Sequence, residues 1–205
     1  MIDTTSSAVP SQTQALGLPN LLTYGRIVAV PVVAALLFLS DFLAVGLWLR
    51  WVALVIFIGA ALTDYLDGYF ARTWNQISRL GRMLDPIADK LLVSVSLLML
   101  AADTTIRGWS IWAAIVILMR EILVSGLREY LAGVQVSVPV SRLAKWKTAM
   151  QLVAVGFLIA GAAGDRVVPG VSLLGLSLLW ISALLTLYTG WDYFRAGMRH
   201  VLEEP

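Results

Sequence analysis

Six apolar stretches, at roughly 21–40, 47–70, 85–104, 109–130, 146–163 and 170–194, each approach the ~20 residues a helix needs to cross a bilayer. Lipid cannot satisfy an exposed backbone N–H or C=O, so segments of this length and hydropathy are constrained to be helices. The expected fold is an all-α integral membrane protein with six transmembrane helices in one domain and a polar cavity facing the cytosol. Composition agrees with a membrane class: 59% of the 205 residues are hydrophobic, and only 14% are charged. No internal repeat of the kind that marks many transporters is visible.

Basic residues orient the helices. Arg26, Arg72, Arg79, Arg82, Lys90, Arg120, Arg128, Arg142, Lys145, Lys147, Arg195 and Arg199 fall on one side, leaving Arg50, Arg107 and Arg166 on the other. The positive-inside rule then places both termini in the cytosol of a multi-pass protein of the cell (inner or plasma) membrane. Residues 1–18 are polar and lack Lys and Arg, unlike a signal peptide, and read as a cytosolic tail. Residues 19–199 form the six-helix domain, and 200–205 a short C-terminal tail. The net charge of +2 is too small to suggest a nucleic-acid partner.

Four aspartates sit where the second apolar stretch ends and the third begins. If the second helix continues to about Arg72, Asp64, Asp67, Gly68 and Ala71 share one face at i, i+3, i+4 and i+7. Gly81, Asp85 and Asp89 follow at steps of four. Antiparallel helices joined by a short loop bring these carboxylates together. Asp85 and Asp89 are then expected near a helix N-terminus, where the macrodipole favours anions, and Asp64 and Asp67 near a C-terminus, where it does not. Such a cluster needs cations. There is no cysteine and a single histidine, His200, which argues against a zinc site built on sulfur or nitrogen. Oxygen ligands point to Mg²⁺, Mn²⁺ or Ca²⁺. Gly68 and Ala71 leave room beside the acids, and Arg72 adds a fixed positive charge, a combination suited to a metal-bound pyrophosphate.

The pattern D-x-x-D-G-x-x-A-R, then G-x-x-x-D-x-x-x-D, carried by Asp64, Asp67, Gly68, Ala71, Arg72, Gly81, Asp85 and Asp89, resembles the signature of the CDP-alcohol phosphatidyltransferases. The stretches REILVSGLREYLAG at 120–133 and KWKTAMQ at 145–151 are similar to its bacterial phosphatidylglycerophosphate synthase branch. The resemblance implies transfer of a phosphatidyl group from CDP-diacylglycerol to glycerol 3-phosphate, with release of CMP. Sister enzymes use inositol phosphate, serine or phosphatidylglycerol instead. It further implies two divalent cations, Mg²⁺ or Mn²⁺, on Asp64, Asp67, Asp85 and Asp89, with Asp89 as the base for the acceptor hydroxyl, although nothing in the sequence separates Asp89 from Asp85. It also implies a homodimer.

Three further polar groups lie outside the signature. Asn20, Thr23 and Arg26 recur at a spacing of three in the first helix. Asn20 reads as a cap and Arg26 as a side chain snorkelling to the lipid surface, or else, as the family's similar start suggests, their face closes the nucleotide end of the aspartate site. CDP-diacylglycerol is then expected on Asn20, Thr23, Asp67, Gly68, Ala71, Arg72 and Gly81. Arg120, Glu121, Ser125, Arg128 and Glu129 place charge well inside the fourth helix. A central arginine costs roughly 2.5–3.5 kcal/mol on insertion scales, so it faces a partner or a polar cavity. Arg142 and Lys145 are the kind of juxtamembrane charge attracted to anionic headgroups, whereas Lys147, Thr148 and Gln151 continue a polar face into the membrane. Arg120, Arg128, Lys145 and Lys147 are the candidate cations for an acceptor phosphate. A cation-coupled transporter is the rival class, but its carboxylates belong near midmembrane.

Overall fold

A computed structural model of the chain describes residues 18–43, 46–74, 79–134 and 142–202; the side chains of 18–20, 64–74, 79–82, 85, 142–145, 196 and 199–202 lie outside that description. The described residues form six helices and no strand: α1 Leu18–Phe42, α2 Leu47–Trp74, α3 Arg79–Ala102, α4 Ser110–Gly133, α5 Arg142–Asp165 and α6 Val171–Leu202. Each coincides with one of the six apolar stretches. The largest extensions are at the end of α6, which runs to Leu202, eight residues past its apolar stretch, and at the start of α3, which begins at Arg79, six residues before its own.

Burial departs from that of a water-soluble bundle. Val28, Leu62, Ile122, Leu123, Leu173 and Leu184 are exposed, while Thr23, Arg26, Arg50, Lys147 and Gln151 are buried. Apolar surface outside and charge inside is the arrangement a hydrocarbon solvent selects. Many core positions are alanines, including Ala53, Ala113, Ala154 and Ala183, which let helix backbones approach closely. Among the described residues four helical segments are long and apolar enough to cross a membrane: Leu21–Phe42, Ser110–Gly133, Trp146–Asp165 and Val171–Arg195. Among the described residues α2 adds a shorter apolar stretch, Leu47–Thr63.

Helix α1 packs against both α2 and α3, and α5 against α6, α2 and α3, so α5 is the central strut; α4 leans on α6 and α3. Phe57, Leu92, Leu97, Ile117, Leu158 and Leu179 fill the space between them. At the end of the bundle remote from the aspartates, α5 breaks at Gly161, whose φ of 41° and ψ of −125° are closed to ordinary L residues. A break there removes the i+4 partners of the carbonyls just before it. The Arg50 guanidinium takes them up: Nε donates to Ile159 O at 2.9 Å and Nη2 to Leu158 O at 3.1 Å. Its Nη1 bonds Asp103 Oδ2 at 3.0 Å, and Nη2 also reaches Thr105 Oγ1 at 2.9 Å. One buried side chain thereby ties α2, the α3–α4 turn and α5. In the charge pattern of the sequence Arg50 figures only as one charge on the translocated side.

Candidate active site

The backbone carries the signature as its spacing predicts. Helix α2 continues through Arg72 to Trp74, so Asp64, Asp67, Gly68 and Ala71 occupy one helical face. In α3, Gly81, Asp85 and Asp89 all fall within the helix. The dipole expectation needs correction. With α3 starting at Arg79, Asp85 lies in its second turn and Asp89 beyond it, whereas the macrodipole acts within the first turn. The helix N-terminus therefore gives these two carboxylates little compensation, which strengthens their need for a cation. Pro86, between them, has no N–H to return to the carbonyl four residues back. The side chains of Asn20, Asp64, Asp67, Arg72, Asp85 and Lys145, and the surroundings of Gly68, Ala71 and Gly81, fall outside the described residues.

Asp89 is the signature carboxylate whose side chain is described. It lines a narrow cleft of ≈ 30 Å³ together with Lys90 and Ser94 of α3, Glu121 of α4, and Thr148 and Gln151 of α5. The cleft joins the acidic end of the signature to the two later helices that carry the candidate phosphate ligands. An all-oxygen set of carboxylates suits a hard divalent cation, and Asp89 faces a polar cleft rather than lipid, so the residues present fit such a cation.

Glu121 is the hub on the far wall. Its carboxylate accepts from Arg120 Nη1 at 3.2 Å and pairs with Lys147 Nζ, reaching from α4 to α5. Arg120 Nη2 extends to Thr189 Oγ1 of α6 at 3.3 Å, and Arg120 Nε is buried with no partner. Lys147 is 3% exposed, close enough to Arg120 and to Asp89 for both charges to act on it. Gln151 Oε1 is also buried and unpartnered. Arg120 reaches α6 because residue 190 is glycine: a Cβ there would stand 2.9 Å from Arg120 Cγ.

One expectation changes. Arg26 does not snorkel to the lipid surface; it is 1% exposed, on the inner face of α1 with Thr23, where a charged group turns away from hydrocarbon. Arg128 is exposed, with its guanidinium 5.7 Å from the centre of the Tyr193 ring. Tyr188, Trp191 and Phe194 on α6 are exposed as an aromatic belt requires.

Sequence reasoning also missed two apolar grooves. One of ≈ 560 Å³ runs between α2 and α5, from Leu62 and Ala149 down to Trp51 and Val168. Another, ≈ 730 Å³, lies between α4 and α6 with Arg120 in its wall. Their apolar linings give no periodic signal distinct from ordinary lipid-facing surface.

Known proteins share this layout. The sequence model of the CDP-alcohol phosphatidyltransferases matches residues 16–188, which takes in α2 and α3 whole and reaches well into α6. The chain is 45% identical over 183 residues to a Rickettsia bellii protein named CDP-diacylglycerol–glycerol-3-phosphate 3-phosphatidyltransferase, covering 89% of this chain and 96% of that one. Proteins of the same name from Cereibacter sphaeroides and Pectobacterium atrosepticum are 38% and 37% identical; the alignments cover 91% and 92% of this chain and 98% of each relative. Members of the family are generally dependent on divalent cations. The match spans the signature and both polar helices after it, so this chain is a member of the CDP-alcohol phosphatidyltransferase family.

Proposed function

We propose that the chain transfers a phosphatidyl group from CDP-diacylglycerol to glycerol 3-phosphate, giving phosphatidylglycerophosphate and CMP. The observation that carries this reading is the cleft where Asp89 meets Glu121, Thr148 and Gln151, with Arg120 and Lys147 gathered on Glu121 beside it. It sets a carboxylate able to take a proton next to cations able to take a phosphate. The relatives' shared name supplies the acceptor.

Asp64, Asp67, Asp85 and Asp89 would hold two divalent cations, Mg²⁺ or Mn²⁺. When bound, these neutralise the pyrophosphate and the charge developing on the departing CMP. Asp89 takes the proton of the acceptor hydroxyl; that oxygen forms a bond to the phosphorus bearing diacylglycerol, and the bond from this phosphorus to the CMP oxygen breaks with its electron pair. Asn20, Thr23, Asp67, Gly68, Ala71, Arg72 and Gly81 hold the nucleotide lipid, and Arg120, Arg128, Lys145 and Lys147 are the cations for the acceptor phosphate. An acyl chain of the donor lies in the α2–α5 groove, which starts beside the last apolar turn before Asp64.

All six helices cross the membrane, the site opens to the cytosol, and the working unit is a homodimer. Impermeant labelling of Ser78→Cys and Arg107→Cys in intact cells checks the orientation: only the second should react. The chemistry is tested by Asp→Asn at 64, 67, 85 and 89, each expected to lower CMP release by ~10²–10³ without loss of folded protein. Near-normal rates in all four, or activity that survives chelation of divalent cations, would refute the metal-dependent mechanism. An acceptor panel separates glycerol 3-phosphate from serine, inositol phosphate and phosphatidylglycerol.

A further inference from the structure

Glu121 is placed where an acceptor phosphate would have to go. Its single carboxylate serves two cations on two helices, Arg120 Nη1 at 3.2 Å and Lys147 Nζ. Both are mostly buried, with side-chain exposures of 13% and 4%. Leaving such cations without an anion in a nonpolar interior is costly, so they need a counter-ion before any substrate arrives. A permanent one would occupy the seat of the phosphate.

Glu121 has the features of a temporary counter-ion. Adjacent residues on a helix do not face each other, so its bond to Arg120 is an awkward one, and 3.2 Å is long for a charge-assisted contact. Donor capacity also remains unused beside it, since Arg120 Nε has no partner. The bonding is uneven too: the Glu121 carboxylate is divided between two cations, and a phosphate dianion answers both. Finally, the cleft that Glu121 shares with Asp89 measures ≈ 30 Å³ among the described residues, room for about one water, and Glu121 is one of the side chains that narrow it.

We propose that Glu121 is a displaceable counter-ion occupying the acceptor-phosphate seat: it neutralises Arg120 and Lys147 in the resting protein and yields them to a dianionic acceptor. This rests on the reading above that the acceptor carries a phosphate. Glu121 is then a positioning residue that acts through the two cations. It makes charge the condition of entry, because a neutral alcohol has nothing with which to displace a carboxylate, and it keeps the cleft beside Asp89 closed to bulk water until the acceptor is seated.

The test uses the full-length purified protein and Glu121→Gln, with inorganic phosphate as the probe. Phosphate should stabilise the variant against heat at roughly one-tenth the concentration needed for wild type, the gain expected when a competing charge-assisted bond is removed. The KM for glycerol 3-phosphate should fall to a similar extent without a rise in kcat. A phosphate requirement or KM that is unchanged or higher in the variant would overturn the proposal, because a purely structural carboxylate leaves the cations worse placed when it is lost. If Glu121→Gln does not fold, Glu121→Asp, too short to span both cations, should show the same directions; failure of both to fold would identify a fixed counter-ion and sink the idea. A wild type that uses serine or glycerol in place of glycerol 3-phosphate would refute the functional reading instead, and the phosphate titration would still judge Glu121 by itself.

Discussion

Arg50 and Arg120 are both drawn into the bundle against a glycine of a facing helix, Gly161 and Gly190, and at both positions a Cβ would fall within 3.0 Å of the arginine. Their surroundings differ in kind. Arg50 has an acceptor for Nε, for Nη1 and twice over for Nη2, and its carboxylate Asp103 is itself fixed by the backbone N–H of Thr105 at 2.9 Å. Arg120 leaves Nε bare, reaches its two partners at 3.2 and 3.3 Å, and shares its carboxylate with a second cation. A fully satisfied buried network specifies one structure, whereas each unsatisfied buried group calls for an explanation, and a ligand that completes it is one. The closed network lies at the end of the bundle away from the aspartates, about 21 Å along α2 from Asp64 at 1.5 Å per residue. The open one lies beside Asp89.

The sharpest way to break this comparison is to remove Arg50. Arg50→Ala strands the buried Asp103 carboxylate and two helix carbonyls, and deleting one partner of a buried pair costs about 3–5 kcal/mol. The expected result is a large fall in thermal midpoint, with the KM for glycerol 3-phosphate unchanged in whatever fraction remains folded. A variant of normal stability with an altered acceptor KM would show that the two networks do not divide the work in this way.

Lys147→Ala probes the other side. A hydrogen bond to a charged group is worth about 1.5–3 kcal/mol, so the KM for glycerol 3-phosphate should rise roughly 10–100-fold, while that for CDP-diacylglycerol stays close to wild type. Stability should change little, because Glu121 keeps Arg120 as its partner. Equal rises in both KM values that fade with added salt would instead indicate attraction to headgroups.

The closed and open networks were not equally legible in the sequence. Six apolar runs of membrane length determine six helices almost without tertiary information, and the i, i+3, i+4, i+7 spacing from Asp64 states a helical face outright. The start of α3 was harder, because residues 79–84 include three charged or glycine positions in a stretch that hydropathy alone does not extend. Arg120, Glu121 and Lys147 stood out because charge inside an apolar run has few explanations. Arg50 also lies inside such a run, but its partners are 53 to 109 residues away and two are backbone carbonyls, which have no sequence signature. The depth of Arg26 was hidden for a related reason: near a helix end, snorkelling and burial fit the same pattern, and only packing against α2 and α3 decides between them.

The two glycines give the finest test. At Gly161 an added methyl meets the Arg50 Nη2 atom at 2.8 Å, and φ of +41° is strained for any L side chain. The guanidinium cannot retreat without breaking bonds to Leu158, Ile159 and Asp103, so Gly161→Ala should cost about 1–3 kcal/mol and show as lowered thermal stability. At Gly190 the backbone is ordinary helix and the nearest atom is Cγ of Arg120, at 2.9 Å. Arg120 is less firmly held, with one long bond to Thr189 and one to Glu121. It can turn aside, and the stability loss should stay under about 1 kcal/mol, the low end of an overpacking change. The same turn carries the guanidinium away from Lys147, so Gly190→Ala should raise the KM for glycerol 3-phosphate a few-fold. If Gly190→Ala instead lowers the thermal midpoint as much as Gly161→Ala and leaves the KM unchanged, Arg120 is as rigidly built in as Arg50, and the distinction between a closed and an open network fails at its open end.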